Sequence, residues 1–211
     1  NQLITLDLIN NTALTDLMCD YNQLTDLDLS ANTALDRLYC GGNQLTTLDG
    51  STNTFLTELS CFGNQLTSLD INANTGLEFL SCGFNQLTSL DVSTNTTLTS
   101  LHCGDNQLTA LDVRNGNNII LTTFWTDNNP NLSCISVDDP IWASANWTNI
   151  DPWTSFSFDC NAIYGCTDPT SINYNPTATV DDGSCIALCT PDPQYVNAGI
   201  YPDSTTGLNN G

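Results

Sequence analysis

The stretch Leu77-Glu78-Phe79-Leu80-Ser81-Cys82-Gly83-Phe84-Asn85-Gln86-Leu87-Thr88-Ser89-Leu90-Asp91-Val92-Ser93-Thr94-Asn95-Thr96-Thr97 is one unit of a repeat. Its Asn-Gln-Leu tripeptide recurs at Asn1, Asn22, Asn43, Asn64, Asn85 and Asn106, each time after 21 residues. A fixed period of this size marks a solenoid, whose coils bury their apolar faces only by stacking on neighbours. It also sets the class of function. A solenoid presents an extended surface, and nothing in the repeat looks like a buried reaction centre.

The first half of the unit has the spacing L-x-x-L-x-C-x-x-N-x-L and resembles the leucine-rich repeat, with Cys82 replacing the last apolar residue of its strand. The second half, L-T-x-L-D-V, alternates apolar and polar like a second short strand. The expected fold is mainly β: a leucine-rich repeat solenoid with two short strands per coil, one on each side, and little or no helix.

Several columns recur at the same period. Asn22, Asn43, Asn64, Asn85 and Asn106 form a ladder at one bend, and Asn11, Asn32, Asn53, Asn74 and Asn95 a second ladder at the other. Side-chain amides there can satisfy backbone groups that a tight turn leaves unpaired. Cys19, Cys40, Cys61, Cys82 and Cys103 stand where the repeat wants a small buried apolar side chain, a role free cysteine fills. Coils stack about 4.8 Å apart, near the lower limit for a disulfide, and parallel side chains do not face each other. Free buried thiols are expected. Asp7, Asp28, Asp49, Asp70, Asp91 and Asp112 make an outward column of like charges. Hydrogen bonds from flanking Thr and Ser, raised pKa values or bound calcium would relieve their repulsion.

The chain of 211 residues carries 23 acidic and two basic side chains, Arg37 and Arg114, for a formal charge of −21. Such acidity argues against nucleic acid and anionic membranes as partners, and favours cations or basic patches. No apolar run is long enough to insert in a membrane. Asn1 falls inside a repeat without a polar cap before it, so the chain is expected to continue upstream.

After the repeats the period breaks. Asn115-Gly116-Asn117-Asn118 inserts residues, Thr126 replaces the ladder cysteine, and Leu132, Ile135 and Val137 complete a last apolar strand. Irregularity at a solenoid end reads as a cap. Trp142, Trp147, Phe156 and Phe158 are expected to cover the open core, with Cys134 and Cys160 closing the cap as a disulfide.

The N-Q-L-T-x-L-D-V-S-x-N-T-x-L repeats and the A-N-W-T-N-I-D…S-F-S-x-D-C ending are similar to leucine-rich repeat regions of secreted surface proteins from flavobacteria and their relatives (Bacteroidetes). The likeness spans about residues 1–160 and implies a cell-surface or secreted setting, often reached by type IX secretion. The following segment, Gly165-Cys166-Thr167-Asp168-Pro169…Asn173-Tyr174-Asn175-Pro176…Asp181-Asp182-Gly183-Ser184-Cys185, is similar to a short module of the same class of proteins. Cys166 and Cys185 bracket it, which suggests a second disulfide standing in for a core. Asp168, Asn173, Asn175, Asp181 and Asp182 are oxygen ligands of the kind calcium prefers, although the pattern is not an EF-hand. Cys189 has no partner in this arrangement and is expected to pair downstream.

The expected organisation is a solenoid over residues 1–126, a cap over 127–160, a small stapled module over 161–188, and a linker or further domain over 189–211. In that last stretch Asp203-Ser204-Thr205 fits an O-glycosylation pattern of the same phylum.

Variation between repeats points to a working face. The position before the ladder cysteine reads Met18, Tyr39, Ser60, Ser81, His102 and Trp125; two residues earlier it reads Asp16, Arg37, Glu58, Phe79, Ser100 and Thr123. The other face repeats almost unchanged. Tyr39, Phe62, Phe79, Phe84, His102 and Trp125 are the candidate ligand-binding residues, because aromatics carry much of the energy at interfaces. His102 stands without a nucleophile or paired acid, so no enzyme is expected. The first functional expectation is a non-catalytic extracellular recognition or adhesion module binding protein or glycan through the varied face. The alternative is a stalk or filament-forming spacer, with self-association in an appendage.

Overall fold

The computed structural model describes residues 1–187; residues 188–211, with Cys189 and the Asp203-Ser204-Thr205 site, lie outside the described residues. The repeat unit makes three-residue strands because only the middle leucine points inward. In chain order these are β1 (Asp16–Met18), β2 (Arg37–Tyr39), β3 (Glu58–Ser60), β4 (Phe79–Ser81), β5 (Ser89–Asp91), β6 (Ser100–His102), β7 (Ala110–Asp112), β8 (Thr123–Trp125), β9 (Cys134–Ser136) and β10 (Ser155–Ser157). The first-half strands form one parallel sheet in the order β1-β2-β3-β4-β6-β8. Its register stacks Leu17, Leu38, Leu59, Leu80, Leu101 and Phe124 into one buried column.

The second-half strands form the opposite sheet, β10-β9-β7-β5, again parallel. Among the described residues, the second-half segments of the coils before Ser89 make no such ladder. A cleft of about 290 Å³ lies there, lined by Asp26, Leu27, Asp28, Leu29, Ser30, Thr47, Asp49 and Thr52. These coils are joined by a strand ladder on the first-sheet side and, on the other, by asparagine side chains at the bend.

Both asparagine ladders form. At the first bend each Oδ1 accepts the N–H of a leucine one coil back, as Asn64 does from Leu45 (3.0 Å) and Asn85 from Leu66 (3.0 Å). From Asn43 to Asn106 each Nδ2 donates to cysteine carbonyls of its own and the preceding coil, as Asn64 does to Cys61 (3.0 Å) and Cys40 (3.1 Å). Asn129 continues this ladder, taking the Leu108 N–H at 3.0 Å. At the second bend Nδ2 donates in the same way, Asn53 to Asn32 O (2.8 Å) and Leu29 O (3.2 Å). There the Oδ1 atoms of Asn32, Asn53, Asn74 and Asn95 are buried and accept nothing.

Cys19, Cys40, Cys61, Cys82 and Cys103 are free and buried. Loss of solvent pushes their thiols up: Cys19 to about 11, Cys103 to about 12, and Cys40, Cys61 and Cys82 well above the ordinary value. The outward aspartates take relief from the backbone. Oδ1 of Asp28, Asp49, Asp70 and Asp91 accepts the N–H two residues on, at 2.9, 2.9, 3.0 and 2.8 Å. The Ser30 and Ser51 side chains, and after them these backbone bonds, hold Asp28 and Asp49 below the usual carboxylate range, the reverse of what like-charge repulsion alone would do.

Asn1–Cys160 pack as one compact unit. Within it, the inserted residues form a 3-10 turn at Asn118–Ile120. A single helix, α1 (Pro140–Asn146), starts on Asp139, whose side chain accepts from the N–H groups of Ile141 and Trp142, with proline at the first turn. Trp147 caps the core: its ring stacks on Phe124 at 4.1 Å and its Nε1 donates to Leu121 O at 2.9 Å. Trp142 and Phe156 pack edge-on against it. Phe158 does not join them; it is exposed, and its carbonyl accepts from Arg114 instead. The Cys134–Cys160 disulfide closes this end, with Cα atoms 5.8 Å apart. Closing a loop of that length stabilises by about 3.5 kcal/mol through lost chain entropy.

In the module after Cys160, β11 (Tyr164–Gly165) pairs in parallel with β12 (Val180–Asp181), and Cys166 and Cys185 form the second disulfide. Among the described residues no helix is long and apolar enough to cross a membrane.

Candidate binding face

In a three-residue strand with one inward side chain, both flanking side chains face out. The first sheet therefore displays two outward columns, Asp16-Arg37-Glu58-Phe79-Ser100-Thr123 and Met18-Tyr39-Ser60-Ser81-His102-Trp125. Charge and aromaticity separate along them. At the β1–β3 end, Arg37 pairs with Asp16 and the Tyr39 hydroxyl donates to Glu58. That bond, with some burial, pushes the Tyr39 phenol up to about 12. At the β4–β8 end the aromatics meet. Phe79 packs edge-on against His102 at 5.8 Å, and His102 stacks on Trp125 at 4.6 Å with planes 8° apart. Partial burial lowers the His102 pKa, which favours the neutral ring.

Beyond the strands, the chain turns through two further columns. The first reads Asp20, Gly41, Phe62, Gly83, Gly104, Asp127, and the second Tyr21, Gly42, Gly63, Phe84, Asp105, Asn128. A pocket of about 170 Å³ opens there. Gly83 and Gly104 make its floor. Ser81, His102 and Trp125 border it on the strand side, Phe84 and Asp105 on the turn side, and Phe62 and Asp127 at its two ends.

The second turn column is left-handed throughout: φ is 53° at Tyr21, 63° at Gly42, 63° at Gly63, 54° at Phe84, 53° at Asp105 and 60° at Asn128. Glycine, asparagine and aspartate tolerate this region; phenylalanine and tyrosine do not. Strain of this kind persists where the surroundings or a function hold it. Phe84 is 63% exposed, so packing does not account for it. Phe84→Gly, which copies Gly42 and Gly63, is expected to stabilise the chain by about 1 kcal/mol. A higher urea midpoint at unchanged slope would show this, and a lower midpoint would refute it.

The structure brings Phe62, Phe84, His102 and Trp125 to one pocket, with Phe79 against His102. It leaves Tyr39 apart, bonded to Glu58. Sequence reasoning missed Asp105 and Asp127 as lining and Tyr21 as packing. Tyr21 meets Phe62 at 5.8 Å and lies over Gly42. An aromatic standing where sister coils carry glycine was the available signal.

The five oxygen residues of the module sit in local turns. Oδ1 of Asp168, Asn175, Asp181 and Asp182 accepts the backbone N–H of Thr170, Thr177, Gly183 and Ser184, and Asn173 Oδ1 accepts that of Ile186. Calcium would have to use what those bonds leave over, chiefly the second carboxylate oxygens. Among the described residues, no group of three or more His, Cys, Asp or Glu is placed to hold a metal.

No protein-family model matches the sequence, and no curated protein does either. Solved structures do match. The functional domain of InlJ from Listeria monocytogenes, which includes a cysteine ladder, is 31% identical with a TM-score of 0.55, over 73% of this chain and 36% of its own. The fold is a leucine-rich repeat solenoid. The leucine-rich effector YopM from Yersinia pestis matches at 26% identity and TM-score 0.43, over 60% of this chain and 32% of its own. The internalin InlF from Listeria monocytogenes matches at 23% and 0.44, over 72% and 50%. The chain thus spans about a third of the length of the solved InlJ functional domain and of the solved YopM chain. The leucine-rich repeat frame makes the cysteine column a structural one, as its burial already indicated.

Proposed function

We propose that the chain is a non-catalytic recognition module that binds protein through the outward face of the first sheet. The observation that carries this is the pocket on the varied face. Phe62, Phe84, His102 and Trp125 gather around a two-glycine floor, and Phe84 holds a strained backbone to do so. The opposite side repeats nearly unchanged, as a scaffold would. The likeness to InlJ, whose matching region is that protein's functional domain, supports the reading. The two disulfides support an oxidising, extracellular or cell-surface setting. The flavobacterial resemblance adds an exported surface protein as the context, and the oxygen ligands of the stapled module add calcium as an ordering ligand, with turn formation by the same Asp and Asn as the alternative.

Glycan is the less favoured ligand, because His102 and Trp125 stack on each other and each covers a ring face that a sugar would need. A displayed peptide library and a glycan array, screened against the whole chain, test the reading. Peptide binders are expected whose binding is lost in Phe84→Ala with Trp125→Ala and kept in Asp49→Asn with Asp70→Asn. Binders found only among glycans would change the ligand class. The absence of binders, or binders indifferent to the face, would favour the spacer.

A further inference from the structure

Along the turn column the chain fills one glycine gap with its own side chain and leaves another open. A Cβ at Gly41 would fall 2.3 Å from Phe62 Cε1, so the Phe62 ring lies directly over Gly41. Gly42 is covered in the same way by Tyr21. Gly83 and Gly104 have no ring above them. A Cβ at Gly83 would meet only backbone of Gly104, and one at Gly104 would meet Asp127, at O and at Oδ1 (3.2 Å). Three coil steps of about 4.8 Å place backbone positions 62 and 127, the ends of this slot, roughly 14 Å apart, and the Asp127 carboxylate reaches back over the edge of Gly104.

The walls of the slot differ in character. Phe62, Phe84 and Trp125 offer aromatic surface. Asp105 and Asp127 offer carboxylates, and among the described residues neither meets a basic side chain. Asp105 is half-buried and its carboxylate accepts no hydrogen bond; Asp127 is approached only by Asn128 Nδ2 at 3.4 Å. The chain's two arginines are committed elsewhere, Arg37 to Asp16, and Arg114 to Asp112 and Asp159. One half-buried and one exposed carboxylate beside aromatic faces suit a planar cation, which can stack on a ring and bridge two acids. A long aliphatic stem would cover the glycine floor, as Phe62 covers Gly41.

We infer that the slot over Gly83 and Gly104 takes an arginine side chain from a basic segment of the partner protein, stacked against Phe84 beside the edges of the His102–Trp125 pair and paired with Asp105 and Asp127. This rests on the protein-recognition reading and names the chemistry of its partner. The net charge of −21 draws basic segments to the chain as a whole; the slot selects the guanidinium.

The test uses the whole chain and a fluorescent nonapeptide of alanine and three arginines, with the same peptide carrying citrulline as a neutral isostere. Anisotropy at physiological salt is expected to show binding that citrulline weakens about tenfold or more. Asp105→Asn with Asp127→Asn is expected to weaken the arginine peptide by a similar factor. Asparagine tolerates the left-handed turn, and an unchanged melting curve would show that the variant is folded. Asp49→Asn with Asp70→Asn removes the same charge from the opposite side and is expected to change binding less than twofold. Equal binding of the citrulline peptide, or equal losses from the two charge-matched variants, would overturn the proposal by reducing it to diffuse attraction. Library binders that need Phe84 and Trp125 but carry no arginine would overturn it too, while leaving protein recognition standing.

Discussion

Raising the pH to about 10 is expected to unfold the repeat unit. Cys40, Cys61, Cys82 and Cys103 are fully buried, and desolvation raises each thiol above its ordinary value of 9.0. Below pH 9 both folded and unfolded chains keep these protons, so the stability the thiols contribute is fully present. Above it only the unfolded chain releases them, and stability falls until the folded values are reached. Each pH unit costs about 1.4 kcal/mol per thiol. Four thiols together lose about 6 kcal/mol one unit above their ordinary value, against about 5–15 kcal/mol for a whole domain. Tyr39, pushed up to about 12, acts in the same direction. Circular dichroism with urea between pH 7 and pH 10.5, under reductant, gives the slope of stability against pH. Cys19 is raised as well, so Cys61→Ala with Cys82→Ala is expected to lower that slope by roughly a third, whatever it does to stability at pH 7. A slope indifferent to the two thiols would sink the argument.

The two asparagine ladders look alike in the sequence and are expected to differ by about 2 kcal/mol in what they contribute. Asn64→Ala removes bonds to Cys61 O and Cys40 O, and strips the buried Leu45 N–H of its acceptor. Both carbonyls keep another asparagine donor, Asn85 on Cys61 and Asn43 on Cys40. The Leu45 N–H is orphaned outright, so the expected cost is about 3 kcal/mol. Asn53→Ala also removes two bonds. However, Leu29 O keeps the Asn32 N–H, and Asn32 O keeps the Leu35 N–H. The substitution also deletes a buried Oδ1 that accepts nothing. Its expected cost is about 1 kcal/mol. Urea unfolding of the two variants decides the matter; equal losses would mean that the orphaned N–H is not what separates the ladders.

Much of this molecule was legible in its repeat. A period of 21 fixed the coil, the inward leucines and the first-bend ladder, because each coil repeats its neighbour's local chemistry. The free state of the cysteine column followed from stacking distance, and the Cys134–Cys160 closure was read where the period fails. The aromatic bias of one face was visible as variation in a column. Where the second sheet begins, at Ser89, was not legible: Leu-Thr-x-Leu-Asp occurs in coils that make that ladder and in coils that do not. Nor was the missing donor to the second-bend Oδ1 atoms, since the same residue type meets different backbone at the two bends.

The pocket marks the division most clearly. Sequence alone determined which residues could line a face, since period and alternation fix which side chains point out. Only the tertiary structure decided that Phe62 covers Gly41 while no ring covers Gly83 or Gly104, that Tyr39 belongs to a separate charged patch, and that Asp105 and Asp127 border the opening. The physical reason is that these contacts join residues of different coils. They depend on rotamer, ring direction and the left-handed turn, none of which the period encodes.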